Sequence, residues 1–271
     1  MIPAHKLTHE LLNEAFERSL VPQPEPELPT GLKDLDHLLW GLHRGQVVLI
    51  GGFPKSGKTS LALNLAYNSC LACRANAVWY FSFEMSCYRL AQRLLSLITE
   101  IPAEDILRHN LTDTQQAIIR AKLPELAGIP LHLRFGEVDT VVGLKNFLLK
   151  TNEKDIIIVD YVQKVKTMGE KKNEGIETWI NTFCEEAVNK NFAGVVCSQM
   201  TQMTGLGEHK KIAGEALKGS RVLEEAPDTI LKLDWNESKG EYHIIVDYNR
   251  DGGVGKVAID FFPRTYKFKD L

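Results

Sequence analysis

A glycine-rich segment at residues 52–59, GFPKSGKT, carries the clearest chemical pattern in the sequence. It fits the spacing G-x-x-x-x-G-K-[ST], in which backbone N–H groups converge on one anion and the start of the following helix adds positive potential. In such a loop Lys58 is predicted to bridge the β- and γ-phosphates of a nucleoside triphosphate, and the Thr59 hydroxyl to ligate Mg²⁺. The predicted nucleotide-binding residues are Gly52, Pro54, Lys55, Ser56, Gly57, Lys58, Thr59 and Ser60.

A carboxylate that could complete the magnesium site follows a second apolar run. Asp160 comes directly after residues 156–159, IIIV, which are typical of a strand buried on both faces. Ligands of α/β proteins bind at the carboxyl ends of such strands, and a phosphate-binding loop needs a second partner for its magnesium ion. We therefore predict that Asp160 holds Mg²⁺ together with Thr59. A turn aspartate that merely ends a strand is the alternative interpretation.

Two further polar residues end apolar runs and could serve hydrolysis. Glu84 follows residues 79–83, WYFSF, where it could orient and deprotonate an attacking water. Gln199 follows residues 195–198, VVCS, where its amide could sense the γ-phosphate. Each has an ordinary structural alternative: an acid near a helix N-terminus for Glu84, and a polar strand end for Gln199.

Two lysine-rich segments follow the strands that end at Asp160 and Gln199. Residues 164–172 carry four lysines against one glutamate, and residues 208–221 carry four cations against two glutamates. Neither segment is interleaved with aromatic residues, so contact with a nucleic-acid backbone fits better than base stacking. A solvated charged loop is the simpler alternative. The predicted DNA contacts are Lys164, Lys166, Lys171, Lys172, Lys210, Lys211, Lys218 and Arg221.

The elements that must position these residues alternate between apolar strands and helices from residue 30 onward. This order predicts an α/β domain over residues 30–271, with a mostly parallel central sheet flanked by helices and antiparallel strands added at the C-terminal end. Predicted strands span 46–50, 77–82, 131–135, 155–160, 194–198, 229–235, 242–249 and 256–262. Predicted helices span 58–75, 86–99, 112–126, 140–150 and 176–189.

Residues 1–29 form a separate arm in this prediction. Apolar side chains over residues 5–20 fall on one stripe of a helix, and four prolines between residues 21 and 29 predict a stiff, extended tether. The helix either folds back on its own domain or docks on a neighbouring subunit.

The composition excludes some classes of protein but does not indicate a binding partner. The 271 residues carry a net charge of −3, which excludes a uniformly basic nucleic-acid coat but hides local basic patches. With neither an apolar run of membrane-spanning length nor a secretory signal pattern, we expect a soluble, cytoplasmic chain. The close pair Cys70 and Cys73 lies in an alanine- and leucine-rich helical stretch without further ligands at zinc spacing, so these cysteines are interpreted as small core residues.

Taken in order, these motifs resemble the C-terminal motor domain of DnaB-type replicative helicases. The segments that carry the resemblance are residues 30–32 (TGL), 35–36 (LD), the phosphate-binding loop, 81–86 (FSFEMS), 160–163 (DYVQ), 198–199 (SQ), 219–220 (GS), 224–228 (EEAPD) and 249–252 (NRDG). The resemblance covers about residues 30 to 268. The loop and Asp160 alone would fit any RecA-like ATPase.

The resemblance implies a RecA-like fold, usually assembled as a hexameric ring with ATP between subunits and single-stranded DNA in the channel. It further implies that Glu84 is the catalytic base, Gln199 the γ-phosphate sensor and Arg250 an arginine finger acting on the neighbouring subunit's ATP. The two basic segments would be channel loops. Residues 5–20 would be the linker helix that packs on an adjacent subunit.

The chain also departs from the family pattern. Tyr248 stands where family members usually have a lysine two residues before the finger arginine. Residues 249–252 are also good hairpin-turn chemistry, so a structural role for Arg250 stays open. The second basic segment is less arginine-rich than usual. The N-terminal domain on which primase and loader contacts gather is missing, which predicts either a minimal phage- or plasmid-type helicase or an excised motor domain.

Three other functions stay open at this stage. One is a RecA- or RadA-like ATP-binding accessory protein in replication or recombination that does not unwind DNA. Another is a RadA- or KaiC-like ATPase with a client other than DNA. A small-molecule kinase is the least favoured, because no acceptor-site or lid pattern is visible.

Overall fold

The computed structural model describes residues 8–21, 26–72, 76–166, 171–200, 221–236 and 241–271. The strands of these residues form one sheet in the order β3-β2-β4-β5-β1-β6-β7-β8-β9. Strands β1 to β6 pair in parallel, and the remaining pairs are antiparallel. The strands are β1 Val47–Gly52, β2 Val78–Ser82, β3 Leu131–Phe135, β4 Ile156–Asp160, β5 Ala193–Gln199, β6 Thr229–Asn236, β7 Glu241–Asn249, β8 Gly255–Phe262 and β9 Lys267–Asp270.

Among the described residues, two helices precede the first strand and the others lie between parallel strands. They are α1 Thr8–Ser19, α2 Lys33–Leu39, α3 Lys58–Leu71, α4 Cys87–Thr99, α5 Ala103–Leu107, α6 Asp113–Leu126, α7 Val141–Leu148, α8 Lys172–Lys190 and α9 Val222–Glu225, with a short 3-10 helix at Val162–Lys164. Among the described residues, no helix combines the length and apolar character needed to span a bilayer.

The central strands are buried on both faces of the sheet. Every residue of β1 and β4 is buried. One core cluster joins the sheet to α2, α3 and α4, with Leu35, Leu61 and Leu90 among its members. A second cluster on the other face includes Leu144 of α7 and Trp179 of α8. Helices therefore cover both faces, which explains why the strands appear in the sequence as unbroken apolar runs rather than alternating ones.

The predicted α/β architecture is confirmed. Each predicted strand is present, and α3, α4, α6, α7 and α8 lie where helices were expected. Helix α8 begins at Lys172, four residues before its predicted start. Helices α2, α5 and α9, the 3-10 helix and strand β9 were not predicted, because runs of three to seven residues are too short for a periodic pattern to emerge. Cys70 is a buried residue of α3 as expected, whereas Cys73 lies outside the described residues.

The start of the domain is fixed against α3 and against the segment that precedes β1. Leu28 is 1% exposed and forms an isolated antiparallel β-bridge with Leu42. The Asn68 side chain of α3 donates to the Thr30 carbonyl at 2.9 Å. Gly31 has a φ of +78°, and a Cβ there would lie 2.3 Å from Asn68 Nδ2. Glycine at this position therefore allows both the left-handed turn and the close approach to α3.

Candidate nucleotide-binding site

The phosphate-binding loop, Glu84, Asp160 and Gln199 meet at the carboxyl edge of the parallel strands. Gly52 at the end of β1 pairs with Gln199, while Ser82 at the end of β2 pairs with Asp160. Glu84 lies two residues beyond β2. Between these strand ends is a cleft of about 790 Å³. Its walls contain the predicted residues Pro54, Lys55, Gly57, Lys58, Thr59, Ser60, Glu84, Asp160 and Gln199.

Glycine is required in the loop by space as well as by backbone conformation. A Cβ on Gly52 would lie 2.5 Å from the Ser56 hydroxyl oxygen, closer than real side chains approach. Gly57 has a φ of +89°, and a Cβ there would lie 2.9 Å from the Tyr242 hydroxyl oxygen. A side chain at either position would displace the loop from the strands beneath it.

The start of α3 is suited to bind an anion. Gly57 is its N-cap and provides no side-chain hydrogen bond, whereas Ser86 caps α4 and Thr140 caps α7 through their hydroxyls. The Ser56 hydroxyl is buried and has no hydrogen-bond partner among the described residues. Uncapped N–H groups beside an unpartnered hydroxyl fit a phosphate group.

Lys58 is a buried cation folded back onto the loop. Its Nζ donates to the carbonyl oxygens of Gly52 at 2.8 Å and Phe53 at 2.7 Å. Burial lowers the pKa of Lys58, and the nearby Cys197, Asp160 and Glu84 oppose that shift. The two carboxylates favour the ammonium form, which is the form that can bind phosphate oxygens.

Asp160 is held in place by two hydroxyl groups. Its Oδ2 accepts from Thr59 Oγ1 at 2.7 Å and from Tyr80 Oη at 3.0 Å. Burial raises the pKa of this carboxyl, while the two hydrogen bonds counteract the increase. The Thr59 hydroxyl and the Asp160 carboxylate are therefore adjacent oxygen donors on the wall of the cleft.

These two oxygen donors fit a magnesium ion that is also bound by phosphates and waters, rather than a metal site built from protein ligands alone. In the described part of the chain, no group of three or more histidine, cysteine and acidic side chains is arranged to hold a metal ion. Mg²⁺ commonly takes one or two carboxylates together with substrate phosphates and waters. Thr59 and Asp160 would supply the protein's share of such a coordination sphere.

Glu84 and Gln199 line the same cleft from opposite sides of Asp160. Glu84 is exposed and lies two residues before the N-cap Ser86, so it is outside the first turn of α4. The backbone N–H of Gln199 donates to Gln163 Oε1 at 3.1 Å, and Gln163 Nε2 donates to Ser198 Oγ at 2.7 Å. Gln163 thus connects the segment after β4 to the end of β5 and fixes the base of Gln199.

Arg250 lies at the opposite edge of the sheet from the cleft. Asn249 pairs with Thr229, and Thr229 pairs with Val48 near the start of β1. The phosphate-binding loop follows the other end of β1, about 16 Å away at the rise of a β-strand. The Arg250 guanidinium forms an ion pair with Asp228 at 2.5 Å. Arg250 is therefore out of reach of the phosphate site of its own chain.

The predicted DNA-binding residues are described only in part. Lys164, Lys166, Lys171 and Lys172 are exposed near the carboxyl end of β4. Lys166 forms an ion pair with Asp139 at 2.7 Å, and Arg221 forms one with Glu225 at 2.7 Å. Lys210, Lys211 and Lys218 lie outside the described residues.

The cleft also contains residues that the sequence did not indicate. Arg89 and Arg93 project from α4, and Phe261, Pro263 and Tyr266 come from the β8–β9 hairpin. The Arg93 guanidinium lies over the Tyr266 ring, 4.7 Å from its centroid. Arg89 and Arg93 lie one helical turn apart soon after Glu84, and this spacing could have indicated them from the sequence. The hairpin residues lie more than 170 positions after Glu84 in the chain, so only the fold brings them to the cleft.

The comparison that decides the family is a match over nearly the whole chain. Residues 27–270 match the family model of the DnaB-like helicase C terminal domain. The chain belongs to this family. The DnaB-like domain is 27% identical over 248 residues to a probable plasmid replicative DNA helicase of Chlamydia muridarum (strain MoPn / Nigg), covering 90% of this chain and 55% of that protein. It is 24% identical over 282 residues to the replicative DNA helicase DnaB of Rickettsia typhi (strain ATCC VR-144 / Wilmington), covering 90% and 57%.

Solved structures share the fold of this DnaB-like domain. A structure described as an ATPase domain superposes with a TM-score of 0.87 at 22% identity, covering 98% of this chain and 99% of that one. A DnaB-like replicative helicase, described with its interactions with primase, superposes with a TM-score of 0.86 at 22% identity, covering 98% and 68%. The predicted RecA-like fold and the family resemblance are confirmed. The chain spans slightly more than half the length of the curated relatives it matches.

Proposed function

We propose that this DnaB-like domain is the ATP-hydrolysing motor of a replicative DNA helicase and moves on single-stranded DNA. The observation that carries this proposal is that the predicted catalytic residues lie at two opposite edges of the sheet. The cleft holds Lys58, Glu84, Asp160 and Gln199, while Arg250 lies beyond the reach of its own cleft. Such a division is expected where ATP binds between two subunits and each subunit completes the other's site.

Each polar residue of the cleft has a separate role in the proposed hydrolysis. Lys58 binds the β- and γ-phosphates, and the first turn of α3 surrounds them with backbone N–H groups. Thr59 and Asp160 would hold Mg²⁺, which when bound would neutralise charge on the phosphate oxygens. Glu84 accepts a proton from the attacking water, and Gln199 detects the γ-phosphate. Arg250 of a second copy stabilises negative charge in the transition state.

Single-stranded DNA is the proposed second substrate. Lys164, Lys166, Lys171 and Lys172 follow β4, whose last residue is Asp160, so a change at the magnesium site lies close in the chain to these cations. We also assign DNA contact to Lys210, Lys211, Lys218 and Arg221, which follow β5. Contacts to phosphates through lysine would be independent of base sequence and weakened by salt. A primase is a proposed partner, since one solved relative is described together with primase. A loader is a second proposed partner, by the family resemblance alone.

ATP turnover is expected to rise about tenfold when single-stranded DNA is added, because DNA binding at the segments after β4 and β5 is coupled to the cleft. A steady-state ATPase assay with and without a single-stranded oligonucleotide measures this. Duplex DNA of the same length is the control. Equal turnover in all three samples would contradict a DNA-driven motor and favour an accessory ATPase.

The arm is proposed to connect subunits into a ring, hexameric by analogy with the family. Helix α1 has no buried residue within the described structure. Leu12 and Phe16, one turn apart on the same face of α1, are 65% and 59% exposed, and Leu20, directly after the helix, is 59% exposed. An apolar stripe of this kind is normally covered in the functional protein. A neighbouring subunit is the cover we propose.

Removal of residues 1–21 is expected to convert the ring into monomers at micromolar concentration. This deletion spares Leu28, whose burial makes it part of the domain core. Phe16→Glu should have the same effect, whereas Glu17→Lys changes charge on the other face of α1 and should leave assembly intact. Sedimentation velocity with a non-hydrolysable ATP analogue measures the sizes. Rings that persist in both the deletion and Phe16→Glu would refute the role of the arm.

A further inference from the structure

The neighbouring strands β4 and β5 stop pairing before they reach the cleft. Their backbone register ends at Val159 and Val196. On its other side, β4 continues to pair with β2 as far as Asp160, and β5 continues to pair with β1 as far as Gln199. The candidate magnesium and γ-phosphate residues therefore lie on opposite sides of the point where the two strands separate.

The side chain of Gln163 joins the two strands beyond that point. Its Oε1 accepts from the Gln199 N–H at 3.1 Å, as a carbonyl of a neighbouring strand would. Its Nε2 donates to Ser198 Oγ at 2.7 Å and to the Gln199 carbonyl at 3.4 Å. Gln163 is 7% exposed and Ser198 is fully buried. Because these bonds are shielded from water, they hold the end of β5 firmly to the segment after β4.

Gln163 belongs to the 3-10 helix Val162–Lys164, which also carries the first of the predicted DNA contacts. Val162 is buried in the core, whereas Lys164 is exposed beside Gln163. Lys164 Nζ lies 5.9 Å from the centroid of the Tyr161 ring, and Tyr161 lines the cleft. One short helical turn thus presents a cation to solvent and an amide to β5, so a displacement of the cation is transmitted to the amide.

The end of β5 is bonded in turn to the phosphate-binding loop. The Met200 N–H donates to the Gly52 carbonyl at 3.0 Å, and the same carbonyl accepts from Lys58 Nζ at 2.8 Å. Gln199, the residue before Met200, lines the cleft. A continuous series of hydrogen bonds and short chain segments therefore connects Gln163 to the buried lysine of the loop.

We propose that Gln163 is a positioning residue that couples DNA contact at Lys164 to the placement of Gln199 in the cleft. This inference rests on the proposed function, in which Lys164 contacts DNA and Gln199 detects the γ-phosphate. Gln163 binds the backbone N–H and carbonyl of Gln199, so it fixes the origin of that side chain without occupying its amide. Coupling requires that binding at one site changes the arrangement at the other, and the Gln163 amide is the contact that carries such a change.

The test replaces the amide and measures DNA stimulation as a ratio of two turnover rates. Wild-type protein is expected to turn over ATP about tenfold faster with saturating single-stranded DNA than without it. Gln163→Met keeps the side-chain length but removes the amide, so this ratio should fall below about twofold while the affinities for ATP and DNA stay unchanged. Gln163→Asn keeps an amide on a side chain one carbon shorter, which cannot make all three contacts, and should give the same result. Phosphate release measures turnover, and fluorescence anisotropy of a labelled oligonucleotide measures DNA affinity.

Gln116→Met is the matched control. The Gln116 amide also donates to a backbone carbonyl, but it lies on α6 and outside the cleft wall, so this variant should keep the wild-type ratio. Thermal unfolding is measured for every variant. A purely structural Gln163 would lower stability and both turnover rates together and leave the ratio unchanged, which would overturn the proposal. Loss of DNA affinity in both Gln163 variants would overturn it as well, because binding rather than coupling would then be lost.

A double-substitution cycle with Gln199 tests the route of the coupling. Gln199→Ala removes the sensing amide but keeps the backbone N–H that Gln163 binds. In chains that carry Gln199→Ala, Gln163→Met is expected to have no further effect on DNA-stimulated kcat, because the residue it positions has lost its amide. A full additional loss in that background would refute positioning through Gln199. Wild-type protein without DNA stimulation would refute the DNA-driven motor itself, whereas full stimulation in Gln163→Met refutes only the coupling.

Discussion

Lys58→Ala is expected to reduce ATP turnover by at least about 1,000-fold, the scale on which phosphoryl transfer depends on its charge-stabilising groups. Lys58 is the only lysine buried in the cleft wall among the described residues. Alanine cannot supply a cation to the β- and γ-phosphates. A steady-state assay of phosphate release measures turnover, and titration with a fluorescent ATP analogue measures the accompanying loss of affinity.

The control for Lys58→Ala is a lysine of similar type away from the cleft. Lys33 is exposed at the start of α2, and Lys33→Ala should turn over ATP at the wild-type rate. Because Lys58 also satisfies two loop carbonyls, circular dichroism and thermal unfolding must show that the variant is folded. Wild-type turnover in a folded Lys58→Ala variant would rule out this cleft as the hydrolytic site.

The carboxyl edge of the sheet was predictable from the sequence because of how parallel strands are built. Glu84, Asp160 and Gln199 each follow a mostly apolar run, and such runs mark strands covered by helices on both faces. The ends of parallel strands meet at one edge, so residues far apart in sequence were expected to share one cleft. Their placement around the phosphate-binding loop agrees with that reasoning.

The other wall of the cleft could not be inferred in this way. Phe261, Pro263 and Tyr266 belong to the β8–β9 hairpin, and the side chain of Asn64 in α3 joins that hairpin to the core. Asn64 Nδ2 donates to the Tyr266 carbonyl at 2.8 Å, and its Oδ1 accepts from the Phe268 N–H at 3.1 Å. No local pattern connects positions about 200 residues apart, so this wall follows from tertiary packing alone.

Net charge was the least informative property of the chain for its function. The sum over all residues is −3. On the cleft wall, however, Lys55, Lys58, Arg89 and Arg93 face only Glu84 and Asp160 as carboxylates. That local excess of positive charge suits a polyphosphate, and it arises because α3 and α4 both begin at the carboxyl edge of the sheet. Composition averages over this arrangement and cannot detect it.

The position of Arg250 in the fold follows from the strand register and could not be obtained from its sequence motif. From the sequence, residues 249–252 were compatible both with an arginine finger and with a hairpin turn. The pairing of Asn249 with Thr229, and of Thr229 with Val48, places Arg250 at the amino edge of β1. That position removes any role for Arg250 at its own cleft and leaves two alternatives, a local ion pair with Asp228 or action on a neighbouring chain.

Arg250→Ala is expected to lower kcat about 1,000-fold or more while changing ATP affinity little, because the guanidinium is needed for the transition state and not for binding at its own cleft. A purely structural arginine would instead reduce thermal stability and spare kcat. Arg120→Ala, on the exposed face of α6, is the matched control and should retain wild-type kcat. Turnover, nucleotide titration and thermal unfolding of both variants distinguish the two alternatives.

Mixing the two inactive variants provides the stronger test of trans action. In a ring assembled from Lys58→Ala and Arg250→Ala chains, some interfaces pair an intact Lys58 cleft with an intact Arg250 from the other variant. Those interfaces contain every predicted catalytic residue, so mixing is expected to restore turnover that neither variant has alone. The recovered rate should peak near equal proportions. Recovery that scales with one variant only, independent of the other, would contradict a site shared between subunits.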